Sequence, residues 1–297
     1  MRRSAKPIAW ATALVLMMTS YGASAQPAGP LTTTTVDRMA MKLSFKRFLA
    51  LSNAGDPAAA DYLVPGFSID ATDTLDLAPL LRDPHAHGIT LTAFELLLDD
   101  GGERLAAELE FRRAAGASAE PPVRKTIFYT IKDGRFTSAH IGRKMAQFIP
   151  GNGKPTPRVS PIAATGPMPF SASQPFMTRR KFEDYLALFG RFDERFVQYY
   201  HPEMLFGIAP TSQPLHGREE VLSFYRPLRK RVGESVVVNM MVIDSARGLM
   251  AVEMTNTLSA TDTIKLPSAT MQAGDSRVAT GVLFYSIADG MITNIRY

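Results

Sequence analysis

The sequence predicts an α+β chain in which one unit is built twice. The first observation is a repeated hairpin. TIFYTIKDGRFTSAHI, Thr126 to Ile141, and VLFYSIADGMITNIRY, Val282 to Tyr297, share Phe, Tyr, Ile, Asp, Gly and Thr at six of sixteen places without a gap. The second is an upstream pair, Phe48 to Ile69 and Tyr185 to Phe206. There Leu49, Ala50, Leu51, Asp56, Tyr62 and Pro65 face Leu186, Ala187, Leu188, Asp193, Tyr199 and Pro202. Internal self-similarity of this kind has to be settled before any fold is assigned. The third is order: in each copy the helical patterns come first and the strands after, which is the α+β arrangement.

The chain begins with a segment that reads as a secretory signal, Met1 to Ala25. Arg2, Arg3 and Lys6 form its charged start, Ile8 to Met18 its short apolar run, and Ala23-Ser24-Ala25 its small-residue cleavage site. The expected destination is the periplasm or the exterior. Those three cations belong to a total of 33 Lys and Arg, so the remainder carries 30 basic against 28 acidic residues. That near balance excludes a polyanion-binding surface built on net charge. The chain has 0 cysteines, which removes disulfides, thiolate metal sites and thiol nucleophiles. No later stretch is apolar and long enough for a membrane helix.

In the first copy, residues 31–149, Val36 to Asn53 reads as a helix. Val36, Met39, Leu43, Phe45, Phe48, Leu49 and Leu51 recur at three- and four-residue spacings. Asp56-Pro57 starts a short second helix, with Asp as its N-cap and Pro at the first helical position. Phe67 to Ile69 is a first strand and Thr74 to Leu81 a short helix. Ile89 to Leu98, Arg104 to Arg113, Val123 to Ile131 and Arg135 to Ile141 are the remaining strands. Residues 150–175 hold seven prolines and three glycines, the composition of a linker, with a lid over a cavity as the alternative.

The second copy, residues 176–297, opens with a helix bearing Phe182, Tyr185, Leu186 and Phe189 on one face, followed by Phe196, Val197 and Tyr200. Met204 to Ile208 is a strand and Gly217 to Arg231 a full helix, where the first copy has only a stub. Val236 to Ile243, Leu249 to Leu258 and Arg277 to Ile287 complete the strands before the final hairpin. Asp133-Gly134 and Asp289-Gly290 supply the two tight turns.

YLALFGRFD (Tyr185 to Asp193), LHGREEVLSFYRPLR (Leu215 to Arg229) and FYSIADGMI resemble the nuclear transport factor 2-like superfamily, which includes the SnoaL-like proteins. The first copy shares the resemblance through FLALSNAGD and FYTIKDGRF. The resemblance implies two tandem cone-shaped domains, each with helices packed in a curved antiparallel sheet around an apolar pocket. It implies no cofactor and no metal. The partners it implies are a small apolar or aromatic ligand, and either an internal pseudo-dimer of the two domains or a homodimer. No nucleic acid is expected, and no membrane insertion once the signal is removed.

Its catalytic members place polar residues at a few positions. A ketosteroid-isomerase-like hydroxyl donor falls on Tyr185, with Phe48 in its place in the first copy. The isomerase carboxylates fall near Ile208 or Ala209 and near Gly281 or Val282, none acidic, which argues against that chemistry. The dehydratase-like Asp falls on Asp56 and Asp193. Its His falls on His87 in the first copy, with Asp70 and His85 nearby, and on Gly233 or Glu234 in the second. An Asp56–His87 pair could orient and charge an imidazole for proton abstraction. Asp70, Tyr199, His201, Glu253 and Tyr285 are the candidate ligand contacts. Strand alternation puts Glu253 on the face opposite Val252 and Met254. The expected function is binding of a small apolar or aromatic molecule, with cofactor-independent lyase, dehydratase or isomerase chemistry as its sharper form. The alternative is a non-catalytic interaction or scaffold module.

Overall fold

The computed structural model describes residues 35–71, 77–113, 121–143, 149–150, 165–207, 213–265 and 270–296. The predicted signal and the middle of the Pro-rich segment lie outside the described residues. The first unit runs α1 (Thr35–Ala54), a 3-10 turn (Pro57–Tyr62), β1 (Leu63–Ala71), α2 (Ala78–Arg82), β2 (Ile89–Leu98), β3 (Arg104–Arg113), β4 (Val123–Lys132) and β5 (Arg135–Ile141). After the short β6 (Ile149–Pro150) and a 3-10 turn (Phe170–Ser173), the second unit runs α3 (Arg179–Gly190), a 3-10 turn (Glu194–Tyr199), β7 (Tyr200–Phe206), β8 (Leu215–His216) and α4 (Gly217–Arg229). It ends with β9 (Val232–Asp244), β10 (Leu249–Ala260), β11 (Ile264–Lys265), β12 (Thr270–Met271), β13 (Ser276–Ala288) and β14 (Met291–Arg296).

The two main sheets have one topology. The first is ordered β1-β5-β4-β3-β2, and the second contains β7-β14-β13-β10-β9 in the corresponding places. β1 pairs parallel with β5, and β7 pairs parallel with β14; every other pairing along these two paths is antiparallel. Both hairpin turns place two residues at positive φ: Asp133 at 50° with Gly134 at 75°, and Asp289 at 50° with Gly290 at 69°. Positive φ at both central positions matches the right-handed twist of the flanking strands. Each edge strand also carries a bulge at the same place. Phe94 is the extra residue of β2 opposite Leu109 and Glu108, and Asn239 that of β9 opposite Glu253 and Met254. A bulge bends its strand, so both sheets curl around their helices.

The concave faces hold two separate cores. Phe45, Phe48 and Leu49 of α1 pack on Leu91, Leu98, Leu105, Leu109, Tyr129 and Phe136. In the second unit, Phe182, Tyr185 and Phe189 of α3 and Tyr225 of α4 pack on Met241, Met250, Met254 and Tyr285. The apolar stripe expected along the whole of α1 is corrected here. Met39 and Leu43 are each 58% exposed, while Arg38 is buried. The first turns of α1 overhang the cone and meet the second unit, so a cation rather than an apolar side chain faces inward there.

The convex faces pack against each other. Leu97, Ala106 and Phe128 of the first sheet meet Val242, Ala251, Val282 and Phe284 of the second. The polar contacts at one rim are reciprocal. The Leu98 N–H donates to Asp244 at 3.1 Å, and the Ile243 N–H donates to Asp99 at 3.2 Å. Leu98 and Ile243 hold equivalent places in the two sheets, as do Asp99 and Asp244, so the contact has the self-complementary form of a two-fold interface. Asp244 is 0% exposed and also takes Arg38 Nη2 at 2.5 Å and Lys42 Nζ at 2.9 Å. Both described ends of the Pro-rich segment attach to the second unit. β6 pairs with Arg277 and Val278 of β13, and the Ser171 hydroxyl donates to Asp184 of α3.

Candidate functional site

The second cone gathers the polar groups. Tyr185 projects from α3 and Tyr200 from the start of β7, and their hydroxyls lie 2.8 Å apart in the buried interior. Burial holds both phenols well above their ordinary ionisation range, so each stays a neutral donor and acceptor. Glu234 sits on the concave side of β9, one strand over from Asn256, whose Nδ2 donates to Glu234 Oε1 at 2.5 Å. Arg229, in the last turn of α4, is 0% exposed and lies 3.4 Å from the Glu234 carboxylate. Its Nη2 donates to the Phe189 and Gly190 carbonyls at the C-terminal end of α3, where a cation is favoured. The guanidinium sits 5.2 Å from the Phe189 ring centroid and 5.4 Å from that of Phe192.

Burial pushes the Glu234 carboxyl upward, and Arg229 and Asn256 pull against it. The net direction is upward, so burial makes the neutral form less costly than it is for a solvated Glu. Arg229 Nε and Nη1 and Asn256 Oδ1 are buried without a hydrogen-bond partner. Arg229 Nη1 is the atom that faces the Glu234 carboxylate at 3.4 Å, and Tyr129, Tyr199 and Ser276 also carry buried side-chain oxygens without a partner. Tyr285 adds its ring beside Phe182, with centroids 5.2 Å apart, and its hydroxyl stands 4.0 Å from Met254 Sδ. A groove of about 620 Å³ runs along the C-terminal half of α4, lined by Phe224, Pro227, Leu228, Lys230, Arg231 and Ile264.

Register makes the first cone a control. Counting back from the hairpins and bulges, Phe48 stands where Tyr185 does, Leu63 where Tyr200 does, Ile89 where Glu234 does and Phe111 where Asn256 does. Every one of these is apolar. The same topology therefore closes in the first cone with apolar side chains at these four places, although Tyr129, the counterpart of Tyr285, keeps a buried hydroxyl there.

The other candidates are placed as follows. Asp56 caps the turn after α1, accepting from the Ala58 N–H at 2.9 Å. His87 is exposed in the loop before β2, and the two are not hydrogen-bonded, so the Asp56–His87 dyad is not formed. His85 of that loop lies over Gly55, and its Nδ1 is 3.2 Å from the Asn53 carbonyl oxygen. The loop folds back on the end of α1 and leaves His87 outside. Asp193 is buried but committed as an N-cap: it accepts from the Arg195 N–H at 3.1 Å and pairs with that guanidinium. Arg195 holds its carboxyl below the usual range. His201 accepts from the Glu203 N–H at 3.1 Å, away from the cone. Tyr199 is buried, with its ring centroid 5.9 Å from that of Tyr185. Glu253 faces away from Val252 and Met254 as expected, into the contact between the two sheets, where it meets His140 at 2.9 Å. Asp70 meets the same imidazole from the other side at 2.9 Å. Neither carboxylate lines a cone. Among the described residues, no group of three or more His, Asp or Glu is gathered to hold a metal.

Of the sequence-derived candidates, the cone thus unites Tyr185, Tyr199 and Tyr285. Sequence reasoning passed over Arg229, Tyr200 and Asn256, and it named Glu234 only as a poor substitute for a His. A register comparison of the two copies was the available signal, because it isolates the positions where one interior is polar and the other is not.

Residues 182–295 match the family model for the SnoaL-like domain. The C-terminal unit is a SnoaL-like domain. Among solved structures, a candidate polyketide cyclase from Xanthomonas campestris pv. campestris is 19% identical. That match covers 38% of this chain and 83% of that one, with a TM-score of 0.33. An LEH-like epoxide hydrolase from M. tuberculosis is 17% identical over 44% of this chain and 83% of that one, with a TM-score of 0.32. An NTF2-like protein of unknown function from Burkholderia pseudomallei K96243 is 13% identical over 39% and 85%, with a TM-score of 0.31. No curated protein matches the sequence. The SnoaL-like match covers the unit whose interior carries the polar set. No helix among the described residues is long and apolar enough to cross a membrane.

Proposed function

We propose that the C-terminal SnoaL-like cone is the working site of an exported protein and binds a small, largely apolar or aromatic molecule bearing one polar group. The polar group sits among Glu234, Arg229, Asn256 and the Tyr185–Tyr200 pair, and the rest of the molecule lies against the aromatic wall. The observation that carries this reading is the contrast between the cones: Tyr185, Tyr200, Glu234 and the half-buried Asn256 converge in one, while Phe48, Leu63, Ile89 and Phe111 fill the four matching places in the other. In its sharper form the site performs acid–base chemistry. Glu234 moves the proton, Arg229 holds the developing negative charge, and the Tyr pair orients the ligand oxygen. Lyase, dehydratase and isomerase steps need no more than this. Export rests on the composition of Met1 to Ala25.

One observation favours the non-catalytic alternative. Rings fill much of the cone interior: Tyr185 contacts Phe182, Phe189, Tyr199 and Tyr200, and Phe189 contacts Phe196 and Tyr225. A scaffold needs only such a core. The two readings separate in a screen of small aromatic and alicyclic carbonyl compounds against the purified chain, by thermal shift and then calorimetry. Tyr185→Phe and Glu234→Gln should each weaken the binding of a hit at least tenfold while circular dichroism is unchanged. Tyr129→Phe, at the matching wall of the first cone, should leave it intact. Hits unaffected by both C-terminal substitutions would remove the site from the cone.

A further inference from the structure

The contact between the two sheets contains a histidine held between two carboxylates from different units. His140 is on β5. Its Nδ1 lies 2.9 Å from Asp70 Oδ2 on the neighbouring β1. Its Nε2 lies 2.9 Å from Glu253 Oε2 on β10 of the other unit. The second oxygen of Glu253 accepts the Arg143 N–H at 2.9 Å, just past the end of β5. Both bonds to Glu253 therefore tie the end of the first unit's β5 to the middle of the second unit's β10. The charged groups facing the ring are Asp70 and Glu253. The Phe128 ring packs at 6.3 Å between centroids, and Asn239 Nδ2 lies 3.5 Å from Glu253 Oε2.

The equivalent of His140 in the other sheet is Arg296. It stacks on Phe284, 4.3 Å from the ring centroid, and reaches across to Glu95 at 3.2 Å. The two cations hold equivalent places but reach different strands, His140 to β10 and Arg296 to β2; Arg296 never loses its charge, whereas an imidazole titrates near neutral pH. With a neutral imidazole, one of the two carboxylates would face a ring nitrogen that has no proton to donate. Glu253 is 2% exposed and Asp70 68%, so the loss would fall on an interior charge if the remaining proton stayed toward Asp70.

We propose that His140 is a titratable clasp between the units: charged, it fastens β5 onto β10, and on losing its proton it releases that fastening while the Arg296–Glu95 bridge stays closed. β10 is the strand whose opposite face carries Met254 and Asn256 of the cone, so the clasp lies directly behind the candidate site. The bond to Glu253 raises the imidazole's affinity for its proton, burial opposes this, and Asp70 adds to it; the net direction is upward. Burial raises the Glu253 carboxyl, and the His140, Arg143 and Asn239 bonds outweigh that and lower it. A base whose folded pKa is raised contributes stability that is complete below its unfolded value, about 6.5, and is lost as pH rises through the folded value. The clasp is thus closed from the lowered pKa of Glu253 up to the raised pKa of His140.

The test follows imidazole proton resonances of the full chain, which has 5 histidines, against pH. One should titrate above about 6.5. It should vanish in His140→Gln and move down in Glu253→Gln. Hydrogen-exchange protection of β10, corrected for the intrinsic pH dependence of exchange, should fall at least tenfold across that same titration in the wild type. In His140→Gln it should be low and independent of pH. If Glu253→Gln does not fold, Asp70→Asn takes its place: it spares the interior carboxylate and must lower the same titration. No raised imidazole, an unmoved one in these variants, or a β10 protection step that persists in His140→Gln would overturn the clasp.

Discussion

Replacing Asp244 by Asn tests whether the two units form one cooperative structure. The carboxylate is fully buried at the end of β9 and takes three donors: Arg38 Nη2 at 2.5 Å, Lys42 Nζ at 2.9 Å and the Leu98 N–H at 3.1 Å. All three belong to the first unit. Arg38 also donates to the Leu98 and Asp99 carbonyls, so it cannot swing into water without breaking those bonds. Removing one partner of a buried ion pair costs about 3–5 kcal/mol, because the other charge is left uncompensated. A chain of this size loses about 2–4 °C of Tm per kcal/mol, so Asp244→Asn should lower Tm by roughly 6–20 °C. Thermal unfolding followed by circular dichroism reads this directly. Arg226→Ala is the control: its bonds to Glu194, at 2.8 and 3.0 Å, lie on a partly exposed helix face within one unit and should be worth about 1 kcal/mol or less. A loss in Asp244→Asn no larger than in the control would refute the reasoning, since the two units would then owe little to this contact.

Further predictions concern the turns and the cone. Gly134→Ala and Gly290→Ala place a side chain at φ values of 75° and 69°, which should cost about 1–2 kcal/mol in either hairpin. At Gly290 the new Cβ would also stand 2.6 Å from the Gln174 carbonyl oxygen and 2.8 Å from the Pro175 carbonyl carbon, while Gly134 has open space. Gly290→Ala should therefore be clearly the worse of the two in urea denaturation; equal losses would contradict the packing of that segment on the hairpin. Glu234→Ala alone, which leaves Arg229 buried without its partner, should cost about 3–5 kcal/mol, whereas the double variant Arg229→Leu/Glu234→Ile should fold near wild-type stability and lose ligand binding. A double variant less stable than the single one would show that the pair belongs to the structure of the cone.

Much of the fold was legible because its signals are local. The Asp-Gly turns, the Asp-Pro cap and the Thr178 cap that accepts from the Lys181 N–H all operate within a few residues. Strand boundaries for β2, β3 and β5 follow from alternation bounded by turn residues. The first turns of α1 were misread because Met39 and Leu43 fit a helical apolar stripe, and only the second unit explains why Arg38 is the residue turned inward. The site was less legible for the same reason. Glu234 precedes the apolar run of β9 and shows in the sequence only as standing, with Gly233, where a His would fall; its burial depends on the strand beginning at Val232 and on Leu258 lying opposite. Arg229 belongs to a stretch of cations, Arg229-Lys230-Arg231, that looks like an exposed face until α3 is placed beside it. His140 and Glu253 are 113 residues apart and become partners only when the sheets pack.

The polar interior of the second cone has an energetic cost that the first cone avoids. A carboxylate and a guanidinium taken out of water are recovered only when geometry and hydrogen bonding are nearly complete, and here Arg229 Nε, Nη1 and Asn256 Oδ1 are left over. The first cone shows the alternative available to the same chain: Ile89 and Phe111 occupy the places of Glu234 and Asn256, and the sheet curls as it does in the second. Specifying the sheet therefore does not account for Glu234 and Asn256. Nor does joining the units, because Glu234 and Arg229 face the helices, and the contact between sheets is made on the opposite side by Val242, Ala251 and Phe284. Arg229 also ties α4 to the C-terminal end of α3, so the members of the set that neither shape the fold nor join the units are Glu234 and Asn256, and a polar group entering the cone is the partner we propose for them.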